Sequence, residues 1–151
     1  MRFITTALFV AAIMALSFSC RQDKPDSISE TIDKQSVELL CENLQDSEDA
    51  PSASVYLKTG DRKTKIAGIS GQCSGINSGE YANYGMPNGT ISAVGSWWAG
   101  SGDYLYAVLE GAKVVVYQGF ADEMQEDAGF HYKPIVVYDG KKCTFVNTSE
   151  N

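Results

Sequence analysis

Tyr104-Leu105-Tyr106-Ala107-Val108-Leu109, then Glu110-Gly111-Ala112, then Lys113-Val114-Val115-Val116-Tyr117, is the stretch from which the fold follows. Two uninterrupted runs of strand-favouring residues joined by a short Gly-containing link predict a β-hairpin. Successive side chains of a strand alternate between its faces. In the first arm Tyr104, Tyr106 and Val108 therefore take one face and Leu105, Ala107 and Leu109 the other. Both faces are apolar, and such a strand belongs inside a sheet that is covered on both sides.

Strand signals continue outward from this hairpin. Residues 91–98 predict the preceding strand, with Gly100-Ser101-Gly102-Asp103 turning it back. Residues 135–138 and 143–146 predict a final hairpin around Asp139-Gly140, a favoured turn pair, and Pro134 keeps the start of that arm out of a central position. Upstream, residues 54–58 and 64–67 flank a Gly-containing loop at 59–63. Residues 69–90 are rich in Gly, Ser, Asn and Pro and predict a long irregular connection. Residues 28–44 fit either period: Ile28, Ile32, Leu39, Leu40 and Leu44 fall near helical spacing, whereas Val37, Leu39 and Cys41 alternate as a strand would. Ser27 with Glu30 also fits a capping box for a short helix. Six to eight short strands with turns between them define an all-β fold. It is a compact antiparallel sandwich or small barrel, with room for one short N-terminal helix.

The chain has 151 residues, 44% hydrophobic and 21% charged, which suffices for a core and excludes wholesale disorder. Met1-Arg2, an apolar run from Phe3 to Phe18 and the small residue Ser19 before Cys20 describe a secretory leader. The segment resembles the signal of bacterial lipoproteins, in the relaxed form of Bacteroidetes-type bacteria: Leu16 lies one place early and Phe18 is bulky. The resemblance implies cleavage before Cys20 and a diacylglyceryl group on its thiol. It also implies the cell outer membrane or periplasm as the location, because no Asp follows Cys20. The organisation expected is a signal peptide at 1–19, a lipidated Cys and polar tether at 20–35, and one all-β domain at 36–151. Asp26-Ser27-Ile28 in the tether resembles a Bacteroidetes O-glycosylation site.

The 12 basic and 19 acidic residues give a net charge of −7. Loss of Arg2 with the leader leaves 11 against 19, or −8. That sign repels phosphate backbones and excludes nucleic acid as a partner. If Cys20 carries lipid, Cys41, Cys73 and Cys143 remain, giving one bridge and one free thiol; the reading here joins Cys73 to one of the other two. Export permits such a bridge.

No motif implies a cofactor. His131 is the only His, and no Gly-x-Ser-x-Gly elbow accompanies it, so it reads as a structural or surface residue. The acidic residues Asp122, Glu123, Glu126 and Asp127 could hold calcium, but they lack the alternating spacing and central Gly of a calcium loop and read as a solvated connection. Ser78-Gly79-Glu80-Tyr81 faintly resembles the cleft-plugging loop of small lysozyme-inhibiting β-barrel lipoproteins, with its Tyr one place early. Trp97 and Trp98 are adjacent and must point to opposite faces of a strand: either one fills the core and the other, with Tyr81 and Tyr84, offers a binding surface, or a bulge at Gly95 or Gly100 packs both rings in the core. The function expected is a non-catalytic binding module for a glycan, peptide or envelope protein.

Overall fold

A computed structural model describes residues 32–33, 36–44, 50–124 and 129–146. The leader, Cys20, the capping box and the glycosylation motif lie outside the described residues. Two antiparallel sheets form the fold. The smaller has the order β1 (Val37–Leu44), β2 (Ser52–Thr59), β3 (Arg62–Ser70). The larger runs in chain order through β4 (Gln72–Gly75), β5 (Thr90–Trp97), β6 (Ser101–Glu110), β7 (Lys113–Asp122), β8 (His131–Tyr138) and β9 (Cys143–Phe145). The sheets stay separate, a sandwich and not a closed barrel. A 3-10 helix, Ser78–Tyr84, links β4 to β5.

The doubly apolar strand lies where its pattern requires. Leu105 and Ala107 of β6 are buried between the sheets with Val94, Val114, Val116 and Val136, against Val37, Leu39, Val55 and Leu57 of the small sheet. Tyr104 and Tyr106, on the other face, are buried with Met86 and Ala93 and packed against Tyr84, Phe130 and Tyr132. Three register shifts interrupt the ladders, at Val55/Tyr56, Thr90/Ser92 and Val116/Tyr117. The residues they leave unpaired are Ile66, Ile91 and Ile135, and all three join the core between the sheets. A bulge places two consecutive side chains on one face, so each supplies an extra isoleucine to the interior.

Polar and covalent links cross the layers. Cys41 of β1 is bridged to Cys73 of β4, with Cα atoms 5.7 Å apart. The Asn43 amide flanks the bridge like a strand partner, accepting from Cys73 N at 2.7 Å and donating to Cys73 O at 3.2 Å. Leu39 N donates to Ser92 Oγ at 2.9 Å, and Ser96 Oγ donates to Ser70 O at 2.6 Å. The outer face of the small sheet is solvated, with Lys58 beside Glu38, Lys63 beside Glu42, and the Lys63 ammonium over the Tyr56 ring. Exposed pairs of this kind add little stability.

Residues 37–44, which fit either period in the sequence, are strand, with the apolar alternation of Val37 and Leu39 facing the larger sheet. Other local expectations are corrected. The stretch 69–90 is not wholly irregular: it contains the 3-10 helix and β4, which brings the strands among the described residues to nine, one more than the sequence suggests. The turn after β5 is Ala99-Gly100, not 100–103. Trp98 N donates to Ser101 O at 2.7 Å, and Ser101 N to Trp98 O at 3.1 Å. Ala99 and Gly100 have φ of 52° and 84°, the pair of positive values that a two-residue hairpin turn needs. Pro134 behaves as expected: β9 pairs only with residues 136–138, so Pro134 lies beside a bulge on the uncovered half of β8.

Candidate functional site

The outer face of the six-stranded sheet carries the site, and cross-strand register builds it. Gly95, Tyr104, Gly119 and Tyr132 are consecutive partners across β5, β6, β7 and β8. A side chain on Gly95 would meet the Tyr104 ring at 2.8 Å, and one on Gly119 would meet the Tyr132 ring at 2.6 Å. The two tyrosine rings therefore lie down over glycines. Tyr106 and Tyr117 pair in the next row, with rings stacked 5.1 Å apart.

Tyr84, from the end of the 3-10 helix, and Phe130 close over this floor. Their ring centroids each lie 5.1 Å from that of Tyr104. Gly85, at φ 66°, ends the helix in the left-handed conformation that glycine adopts without steric cost. Tyr132 donates its hydroxyl proton to Tyr84 O at 2.7 Å, and Tyr117 donates to Glu110 Oε1 at 2.7 Å. Burial pushes the Tyr81, Tyr104, Tyr106 and Tyr132 phenols up. The hydrogen bond to Glu110, aided by burial, pushes Tyr117 up to about 12. These rings present neutral phenols, suited to packing and hydrogen bonding.

Beside this cluster opens a cleft of about 330 Å³, lined by Gln72, Ser74, Gly75, Ile76, Glu80, Tyr84, Gly95, Ser96, Trp97 and Tyr104. Trp97 is 47% exposed. A side chain on Gly102 would meet Trp97 Cε3 at 2.7 Å, so the indole lies across the sheet over that glycine. Gly75 and Ile76 also border a second groove, of about 480 Å³, which contains Tyr81 with Val37, Leu39, Ile91 and Ala93.

The sequence-derived candidates therefore separate. Trp97 and Tyr84 share one cleft, and Tyr81 lies in the adjoining groove. Trp98, 44% exposed, is on the opposite face at the Ala99-Gly100 turn. The two indoles do point to opposite faces, but neither fills the core: both are about half exposed. Gln72, Ser74, Glu80 and Tyr104 were not among the sequence candidates. The alternation in Gln72-Cys73-Ser74, inner Cys flanked by outer polar residues, was the only signal for the first two, and it is three residues long.

The other candidates occupy local roles. Asp122 Oδ1 accepts from Met124 N at 2.9 Å, and Glu123 N donates to Gly100 O. Glu126 and Asp127 lie outside the described residues, among which no group of three His, Cys, Asp or Glu side chains converges. His131 is exposed at the start of β8, opposite Phe120. Ser78 to Tyr81 are wound into the 3-10 helix. Cys143, a bridge candidate in the sequence, is a free, half-buried thiol, and burial pushes it up. No protein family, curated protein or solved structure matches the chain.

Proposed function

We propose that this chain is a lipid-anchored cell-envelope protein whose domain is a non-catalytic binding module, and that its site is the Trp97 cleft. The observation that carries this reading is the half-exposed Trp97 indole, laid over Gly102 at the rim of a cleft that also holds Gln72, Ser74, Glu80 and Tyr84. An exposed indole left uncovered by its own fold is the side chain type that most often dominates recognition surfaces. Acyl chains on Cys20, at about 0.8 kcal/mol per buried methylene, would hold the protein in the outer membrane.

The geometry fits that anchorage. Ile32 lies against Gly140, and Ser36 O accepts from Gly60 N, so the tether joins the fold at the end bearing these turns. Leu44, Trp97 and Trp98 are exposed at the other end, about 23 Å away along β1. The Trp97 rim of the cleft thus lies at the end away from the tether.

Two comparisons test the reading. Replacing Cys20 by Ala should move the protein from the membrane to the soluble fraction, with loss of the acyl mass. In binding to purified envelope fractions, Trp97→Ala should lower retention while Trp98→Ala leaves it unchanged. Equal loss in both variants would reject the cleft as the site.

A further inference from the structure

The charge and shape of the cleft restrict what it can bind. From Ile66 to Ala112 the chain contains no Lys, Arg or His, while Glu80, Asp103 and Glu110 are acidic. Glu80 is the one charged side chain lining the cleft, and Asn77 Nδ2 donates to its Oε2 at 3.5 Å. An anionic ligand would meet repulsion there, with no cation among the described residues that line the cleft to compensate it. A cationic ligand held by an aromatic cage needs several free ring faces around it. Here Tyr104 is buried against Tyr84 and Phe130, which leaves the half-exposed Trp97 and, at one edge of the cleft, the partly buried Tyr84, short of a cage. A peptide adding as a strand needs the free edge of β4. At Cys73 that edge is already occupied, donor and acceptor both, by the Asn43 side chain.

What remains is a flat apolar ring face next to a carboxamide, a hydroxyl and a carboxylate. A pyranose has the matching pattern: a face of C–H groups bounded by hydroxyls that both donate and accept. We infer that the Trp97 cleft binds an uncharged saccharide, with one sugar ring stacked on the indole and its hydroxyls held by Gln72, Ser74 and Glu80. The inference rests on the cleft being the binding site proposed above, and it names the ligand class.

The test is binding of the full chain, purified in detergent, to an array of neutral oligosaccharides of glucose, mannose, galactose and N-acetylglucosamine. Matched uronate and sulfated oligosaccharides and a peptide library stand beside them. The expected result is binding to a neutral member, weakened about tenfold or more by Trp97→Ala and unaffected by Trp98→Ala. Glu80→Gln should weaken neutral binding severalfold without creating binding to the charged sugars. Trp97-dependent binding to peptides or anionic sugars would overturn the saccharide assignment and leave the cleft as a binding site. Neutral-sugar binding insensitive to Trp97→Ala would overturn both. No Trp97-dependent binding to any member would also overturn both.

Discussion

Replacing Cys41 and Cys73 together by Ala removes the disulfide that joins β1 of the small sheet to β4 of the large one. The bridge spans a sequence separation of 32 residues. Closing a loop of that length removes about 12.5 cal/mol/K of entropy from the unfolded chain, or about 3.7 kcal/mol at 25 °C on the chain-entropy account. At roughly 4 °C per kcal/mol for a domain of this size, the melting temperature should fall by about 15 °C. The bridge also anchors β4 between Gln72 and Ser74, so its loss should loosen one wall of the Trp97 cleft. Urea unfolding of oxidised wild type, reduced wild type and the double variant measures the effect. Reduced wild type and the variant should agree within about 1 kcal/mol, because both lack the same constraint. A loss below about 1 kcal/mol in both would refute the crosslinking argument, and so would a free thiol titre of three in the folded domain lacking Cys20.

Other perturbations follow from the same geometry. Ala99 occupies a left-handed position in a turn that favours Asn-Gly, so Ala99→Asn should stabilise the domain by about 0.5–1 kcal/mol in urea melts. Gly102→Ala should destabilise it by about 2 kcal/mol or more, since the new methyl would meet Ser96 O, a backbone atom, and the Trp97 ring. Tyr81, Tyr104, Tyr106, Tyr117 and Tyr132 hold their protons more tightly when folded than the ordinary phenol value of 10.0. Between the unfolded and folded values the native state binds more protons, so stability is full below pH 10 and falls as pH rises towards 12. Tyrosinate absorbance should rise together with loss of circular dichroism in that window; complete ionisation with the fold intact would contradict the burial described.

The hairpin of β6 and β7 was legible because both faces of its first arm are apolar, a pattern with one structural solution. The bridge was legible in part: chemistry and count required one Cys pair but said nothing of which strands meet. Alternation alone could not assign the faces of β3, β5 and β8, because bulges at Ile66, Ile91 and Ile135 reset the parity and an unpaired residue leaves no mark in composition. Residues 69–90 read as loop because β4 is only four residues long and takes its order from Asn43 and Cys41, 30 and 32 positions from Cys73 in the chain. The two indoles were legible as a pair on opposite faces. Exposure of one of them was legible too; exposure of both was not, because it depends on what the rest of the fold lays over them.

Fluorescence of the two single-tryptophan variants puts the central claim to its most direct test. Trp98→Phe leaves Trp97 as reporter, and Trp97→Phe leaves Trp98. A soluble quencher should reach both indoles in the free protein, and a saturating neutral oligosaccharide should shield Trp97 alone. Shielding of Trp98 instead, or a Trp97 signal already inaccessible before any sugar is added, would contradict the account.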